Sequence, residues 1–338
     1  MSASQFTVYT SSDPGNGSDQ PGLLTGQAGD LIRILDKCLV NGYTGKAAAG
    51  WTHPVATSGN IASYKQPTGA GLGFVLNDNG PNVTSTTSEA WATGWETVLG
   101  VGASVGSGNG QFPTPAQLLT TGHVVWRKSA TANGTGRAWQ LFADSTTFYL
   151  FIATTDLAGG YMFAGFGDFF SLKGSTDAYR CMLWGRTTEN SAAADTLGGD
   201  FDQMASFSVT AGNCLGSWAA RSFGGFGTSV SIGRMGDMGK TSTATTSSSI
   251  TVVGNVQTPN GPDNSIYMAP LQVWEIPSKL IRGRFRGLYH VCHPVTSFTD
   301  GQTFQGSNDF AGKSFQIVST GRSSGFIAIE TSATVETN

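Results

Sequence analysis

An all-β fold, mainly an antiparallel sandwich or meander with one short N-terminal α-helix, is what this sequence predicts. Three observations carry the expectation. Short runs of alternating apolar and polar residues recur through most of the chain. Clusters of Gly, Pro, Asn and Ser interrupt them at turn-like intervals. Only one segment has a convincing helical period: over residues 29–40, Leu31, Ile32, Leu35, Cys38 and Leu39 fall on one face. Asp30 sits in the first turn of this helix, and Asn41-Gly42 ends it, since both residues tolerate positive φ.

In chain order, a first strand is expected at 5–10, where Phe6 and Val8 alternate with polar neighbours, and a turn at 13–17. After the helix, strands are expected at 62–65, 73–77, 89–99 and 123–128, with a helical turn or two at 113–120. The densest β signal lies between Arg137 and Arg186. There Trp139, Leu141 and Ala143 share a strand face, and Asp144-Ser145 marks a turn. Residues 148–154 form a near-continuous apolar run, as in a strand buried on both faces. Strands at 161–172 and 178–185 complete the block, the latter with Tyr179, Cys181 and Leu183 on one face. Further strands are expected at 201–209, 217–223, 228–235, 250–253 and 266–275, and a hairpin at 314–331. Residues 187–200 and 236–249 read as loops. Residues 1–125, with the helix, form an N-terminal region and 126–338 a sandwich-like domain, unless the two make a single domain.

The chain has 338 residues, a net charge of −3 and only 12% charged residues, against 47 glycines. A general nucleic-acid binder needs a surplus of Lys and Arg, so direct nucleic-acid binding is not expected. Low charge with abundant Gly, Ser and Thr suits a protein that packs in an assembly or sits at a surface. No apolar stretch reaches membrane-spanning length and residues 1–14 lack a basic-then-apolar pattern, so neither membrane insertion nor a secretory signal is expected. Cys38, Cys181, Cys214 and Cys292 lie far apart, which favours buried thiols over disulfides and leaves their pairing open.

Catalytic signatures are sparse. Gly45-Lys46 lacks the first glycine and the Ser/Thr of a phosphate loop, and there is no G-x-S-x-G or H-E-x-x-H. The histidines, His53, His123, His290 and His293, carry no recognisable flank. His290, Cys292 and His293 are the densest group of metal-type ligands, but on a strand His293 faces away from the other two, so no metal or cofactor is expected. Asp144, Asp156, Asp168 and Asp177 are the carboxylates that a glycan-cleaving reading would use. Tyr161, Phe163, Phe166, Phe169 and Phe170 are either a sugar-stacking platform or core aromatics. Arg282, Arg284 and Arg286 recur every second residue, which places three guanidiniums on one strand face. That strip suits an inter-subunit contact, an anionic polymer or a charged edge strand.

The segments 8–13, 21–29 with "LLTGQAG", and 34–51 with "ILDKCLVNGYTGKAAAGW" resemble a family of virion structural proteins of tailed bacteriophages, among them head and tail accessory and tail-tip proteins. Residues 127–152, 165–179, 281–290 and 310–318 resemble it in the same order, and the similarity is loosest between 187 and 253. The resemblance implies a non-enzymatic virion component, made in the bacterial host cytoplasm. Other virion proteins and further copies of the chain are its implied partners, at the tail tip or baseplate or on the head. It brings no functional residues with it. Two alternatives stand beside it: a tail module that binds host surface glycan, and a glycan depolymerase.

Overall fold

The computed structural model describes residues 5–14, 19–78, 88–102, 104–129, 135–153, 161–186, 189, 216–235, 267–275, 278, 280–291, 298–319 and 326–332. Within these the chain is all-β with one short α-helical segment and two single-turn 3-10 helices, Gly174–Thr176 and Asn308–Phe310. The helix α1 (Asp30–Leu35) continues without a break into a π-helical stretch (Asp36–Asn41), and Gly42 closes it by donating its N–H to the Lys37 carbonyl at 2.9 Å. Every residue of the expected apolar face is buried. The segment's last carbonyls are taken by the returning chain, Ala49 N–H on Cys38 and Trp51 N–H on Leu39.

Five strands make a small antiparallel sheet: β2 (Ile61–Lys65), β3 (Gly73–Asn77), β4 (Ser88–Gly100), β5 (Ser107–Phe112) and β6 (Val124–Ser129). β6 pairs with the first half of β4 and β5 with the second. The remaining strands form one long antiparallel sheet. It runs from β1 (Thr7–Thr10) through β7 (Trp139–Ala143), β8 (Thr147–Ala153), β9 (Tyr161–Asp168), β11 (Cys181–Trp184) and β12 (Ser217–Ala219) to β13 (Val230–Met235). It continues through β14 (Met268–Glu275), β15 (Leu280–Val291), β18 (Phe326–Glu330) and β17 (Ser314–Ser319) to β16 (Thr303–Gln305), while β10 (Phe170–Ser171) pairs with β15.

The apolar run of β8 explains how the layers stack. Phe148, Leu150 and Ile152 enter a cluster with the helix, Trp51, Phe74 and Trp126. Tyr149 and Phe151, pointing the other way, enter a second cluster with Phe163, Trp184, Phe285 and Ile327. The long sheet therefore folds back on itself, with β14, β15, β17 and β18 covering the far face of β7, β8, β9 and β11. Three layers result: the small sheet with the helix, the aromatic meander, and the C-terminal strands. Side-chain amides link the two ends of the long sheet, where Gln316 donates to Gln140 at 2.8 Å and Gln5 to the Thr331 carbonyl at 2.9 Å.

Aromatic packing in the middle layer depends on a glycine. Gly165 lies opposite both Tyr149 and Trp184, and a Cβ there would sit 2.1 Å from the Trp184 ring and 2.5 Å from the Phe148 carbonyl. Gly165→Val is expected to lower unfolding free energy by about 3 kcal/mol in urea denaturation. A loss under about 0.5 kcal/mol would show that the layers separate easily.

The expected elements at 29–40, 62–65, 73–77, 89–99, 123–128 and 314–331 all appear within a few residues. A division at 125/126 would cut β6, and the first cluster draws on both sides of it, so the two predicted regions share one core. At 113–120 there is one turn, closed by the Leu118 N–H on the Thr114 carbonyl. The strand expected at 161–172 breaks into β9 and β10 around Phe169. The strands expected at 201–209 and 250–253, the loop at 236–249 and nearly all of that at 187–200 lie outside the described residues. No helix among the described residues is long and apolar enough to cross a membrane.

Candidate interaction surface

β15 carries the arginine strip, but it is not an edge strand: β14 pairs along one side, and β10 and β18 along the other. Arg282 is fully buried. Its Nη1 lies 3.1 Å from Glu275 Oε1, and its Nη2 lies 3.3 Å from Asp177 Oδ2 and donates to the Tyr179 carbonyl at 2.9 Å. It also donates to the Arg221 carbonyl, and its guanidinium lies 5.1 Å from the Phe169 ring centre. Arg286 is buried as well, with Nη1 2.8 Å from Asp144 Oδ2 and its guanidinium 5.7 Å from the Phe6 ring. The expectation of an inter-subunit strip or charged edge is therefore corrected for Arg282 and Arg286. The period of two is present, but two of its side chains face inward, where carboxylates from other strands and loops neutralise them. Arg284 alone is half-buried, 4.6 Å over the Phe170 ring.

The same ion pairs account for the candidate carboxylates. Asp144 meets Arg286, Asp177 meets Arg282, and Asp168 Oδ2 lies 3.1 Å from Arg180 Nε. Burial pushes the Asp168 carboxyl up to about 6, opposed by Arg180, by a hydrogen bond from Gln66 at 2.8 Å and by one from the Ala70 N–H at 3.0 Å. Asp156 lies outside the described residues.

Phe163, Phe166 and Phe169 are core residues. Phe163 stacks on Phe151 at 4.7 Å, and Phe166 packs among Trp51, Phe74 and Phe112. The sugar-stacking alternative is thus corrected for these three rings, which no ligand reaches from solvent. The side chain of Tyr161 is not among those described, and Phe170 lies under Arg284. Cys38 and Cys181 are free and buried, and burial raises both thiols well above their ordinary range. His290 is buried, while Cys292, His293 and Cys214 fall outside the described residues. Among the described residues no three His, Cys, Asp or Glu side chains gather as a metal site would require.

Around the outward-facing end of β15 lies a surface that the sequence pattern did not mark. Leu172 follows β10 and donates its N–H to the Arg282 carbonyl at 2.9 Å. Leu280 and Ile281 open β15 opposite Glu275 and Trp274. The loop from β12 to β13 reaches the same end: Arg282 bonds the Arg221 carbonyl, and Lys173 Nζ donates to the Phe223 carbonyl at 3.4 Å. Phe226 tips this loop, held by Ser222 Oγ donating to its carbonyl at 3.0 Å. Leu172 is 65% exposed, Phe226 82%, Leu280 48% and Ile281 45%, so four of the seven exposed large apolar side chains among the described residues lie in the segments joined at this end. Cations lie among them over aromatic rings: Lys173 over Phe223 at 5.8 Å and Arg221 over Tyr179 at 4.8 Å, beside the Arg284–Phe170 stack.

No protein-family model matches the chain, and no curated protein matches it. Over the described residues the fold is all-β, of antiparallel sheets with one short α-helix.

Proposed function

We propose that the chain is a structural, non-enzymatic component of a bacteriophage particle, held in the virion by contacts with protein neighbours at the tail tip or baseplate or on the head. The group of exposed apolar side chains at the open end of β15 carries the reading. Large apolar side chains left exposed in neighbouring segments suit a contact with another protein, since covering them removes apolar area from water. The protein's low charge supports the same reading, because much of that charge is matched internally by pairs such as Arg282 with Asp177 and Glu275. The ordered resemblance of its segments to tailed-phage virion proteins supplies the particle. Further copies of the chain are among the neighbours proposed.

The test is the particle itself. Density-purified virions are expected to contain the protein by mass spectrometry, with immunogold label at one fixed position. Virions assembled with Phe226→Glu in place of the natural chain are expected to lose most of the protein. Purified particles without the chain would remove the proposal.

A further inference from the structure

We infer that residues 52–58 are a pH-gated strap over the outer edge of the small sheet, fastened while the His53 ring carries both of its protons. β2 ends that sheet, with β3 along one side. Its other side turns to the strap. Thr52 and Lys65 exchange two backbone hydrogen bonds, at 3.2 and 2.9 Å, and Ser58 and Ile61 exchange two more, at 3.0 and 3.1 Å. Between them Ser63 Oγ donates to the Val55 carbonyl at 2.8 Å and accepts the Val55 N–H at 3.1 Å. A strand edge covered in this way offers no template to a foreign strand.

His53 ties the strap to both the sheet and the helix. Its Nδ1 lies 2.6 Å from the Ser63 carbonyl oxygen. Its Nε2 lies 3.2 Å from Oδ1 of Asp36, the first residue of the π-helical stretch. Both oxygens are acceptors, and a neutral imidazole has one N–H to offer them. Either neutral tautomer therefore sets a nitrogen lone pair against an oxygen, whereas the imidazolium donates to both. The Tyr64 ring lies 5.0 Å away, a contact that a cationic ring strengthens. Tyr64 also donates its hydroxyl proton to Asp36 Oδ1 at 2.8 Å. Burial holds that phenol well above its ordinary range, so it remains a donor while His53 titrates.

The charged groups on the elements packed against His53 have other engagements. Arg33 is bonded to Asp30, Lys37 donates to the Asp19 carbonyl, and Lys65 is exposed. Asp36 is the charge that touches the ring. Its hydrogen bond raises His53 above the ordinary 6.5, burial opposes the rise, and the Ser63 carbonyl adds to it. A histidine raised on folding contributes fully below 6.5 and loses that contribution as the pH climbs through the folded value. The strap is thus fastened at mildly acidic pH and released on the alkaline side.

Two measurements on the full chain test the latch. Nitrogen-15 NMR is expected to show protons on both ring nitrogens of His53 at pH 6, with one of them lost at a midpoint above 6.5. Pulsed hydrogen exchange over residues 51–66, corrected for the intrinsic effect of pH, is expected to show about tenfold less protection at pH 9 than at pH 6. Asp36→Asn separates a proton latch from a merely structural contact. Its amide can donate to a bare Nε2 while Nδ1–H holds the Ser63 carbonyl, so the strap should stay protected at both pH values. His53→Gln should leave the strap loose at both, with thermal melts verifying the fold. A neutral ring at pH 6 would overturn the inference. So would wild-type protection that does not fall by pH 9, or the same fall in either variant.

Discussion

Replacing Arg282 by alanine is expected to lower the unfolding free energy by about 4 kcal/mol, among the largest effects of any single substitution in this protein. The reason lies in what is left behind. Asp177 and Glu275 are both buried, and Arg282 is the guanidinium that bonds both. Removing it leaves two carboxylates away from water without that counter-charge, and it leaves the Tyr179 and Arg221 carbonyls without their donor. A control separates the cost of orphaned charge from the cost of lost volume. Arg282→Met combined with Asp177→Asn and Glu275→Gln keeps the packing but removes all three charges, and it is expected to recover most of the loss. Urea denaturation at neutral pH measures both variants. If Arg282→Ala costs less than about 1 kcal/mol, the arginine does not fasten β15 to the loops around it.

Asp177 lies 105 residues from Arg282 in the chain, and Asp144 lies 142 from Arg286. That separation is why the strip was only half legible. Period-two spacing reveals that three arginines share a face of a strand, but not whether that face looks at solvent or at another layer. Local pattern sufficed where burial was continuous, as in β7, β8, β9 and β11, whose aromatic alternation marks both faces, and in the helix with its single stripe. It did not mark β5, whose Ser-Gly-Asn-Gly-Gln-Phe has no apolar alternation and becomes a strand because β4 pairs with it. The exposed patch was invisible for a related reason. Leu172, Phe226 and the pair Leu280-Ile281 lie in three separate segments, and only the pairing of β10 and β14 with β15, plus the loop after β12, brings those segments to one end.

Asp78 gives the other large effect, and it depends on pH. This fully buried carboxylate takes the place of a helix cap. Its Oδ2 accepts the N–H groups of Leu31 at 2.7 Å and Ile32 at 3.3 Å, and its Oδ1 lies 2.7 Å from Lys128 Nζ. Burial nevertheless dominates and pushes its carboxyl up to about 6, as it does for Asp168. A carboxyl whose folded pKa lies above its ordinary value of 3.8 favours the folded state most when protonated. Its contribution is therefore complete below pH 4 and is lost as the pH rises through 6. For each of the two groups the loss is on the order of 3 kcal/mol. His123 works against them in the same window: burial lowers it to about 4, so its contribution is lost as the pH falls from 6.5 towards 4. Two carboxylates outweigh one imidazole, and wild-type unfolding free energy is expected to decline from pH 4.5 to pH 6.5, where many proteins gain stability. Below pH 4 the order reverses, because Asp13 and Asp30, held below the usual carboxylate range by their hydrogen bonds and cationic partners against the opposing effect of burial, lose their contributions as they protonate. Asp78→Asn keeps an oxygen acceptor for Leu31 and Ile32 but cannot ionise, so it should remove most of the decline, leaving Asp168 and His123 nearly balanced. Lys128→Met should steepen it by removing the charge that holds Asp78 ionised. Urea midpoints measured at half-unit steps of pH decide the matter, and a wild-type curve that rises through this window would refute the assignment of Asp78 and Asp168 as carboxylates strained by burial.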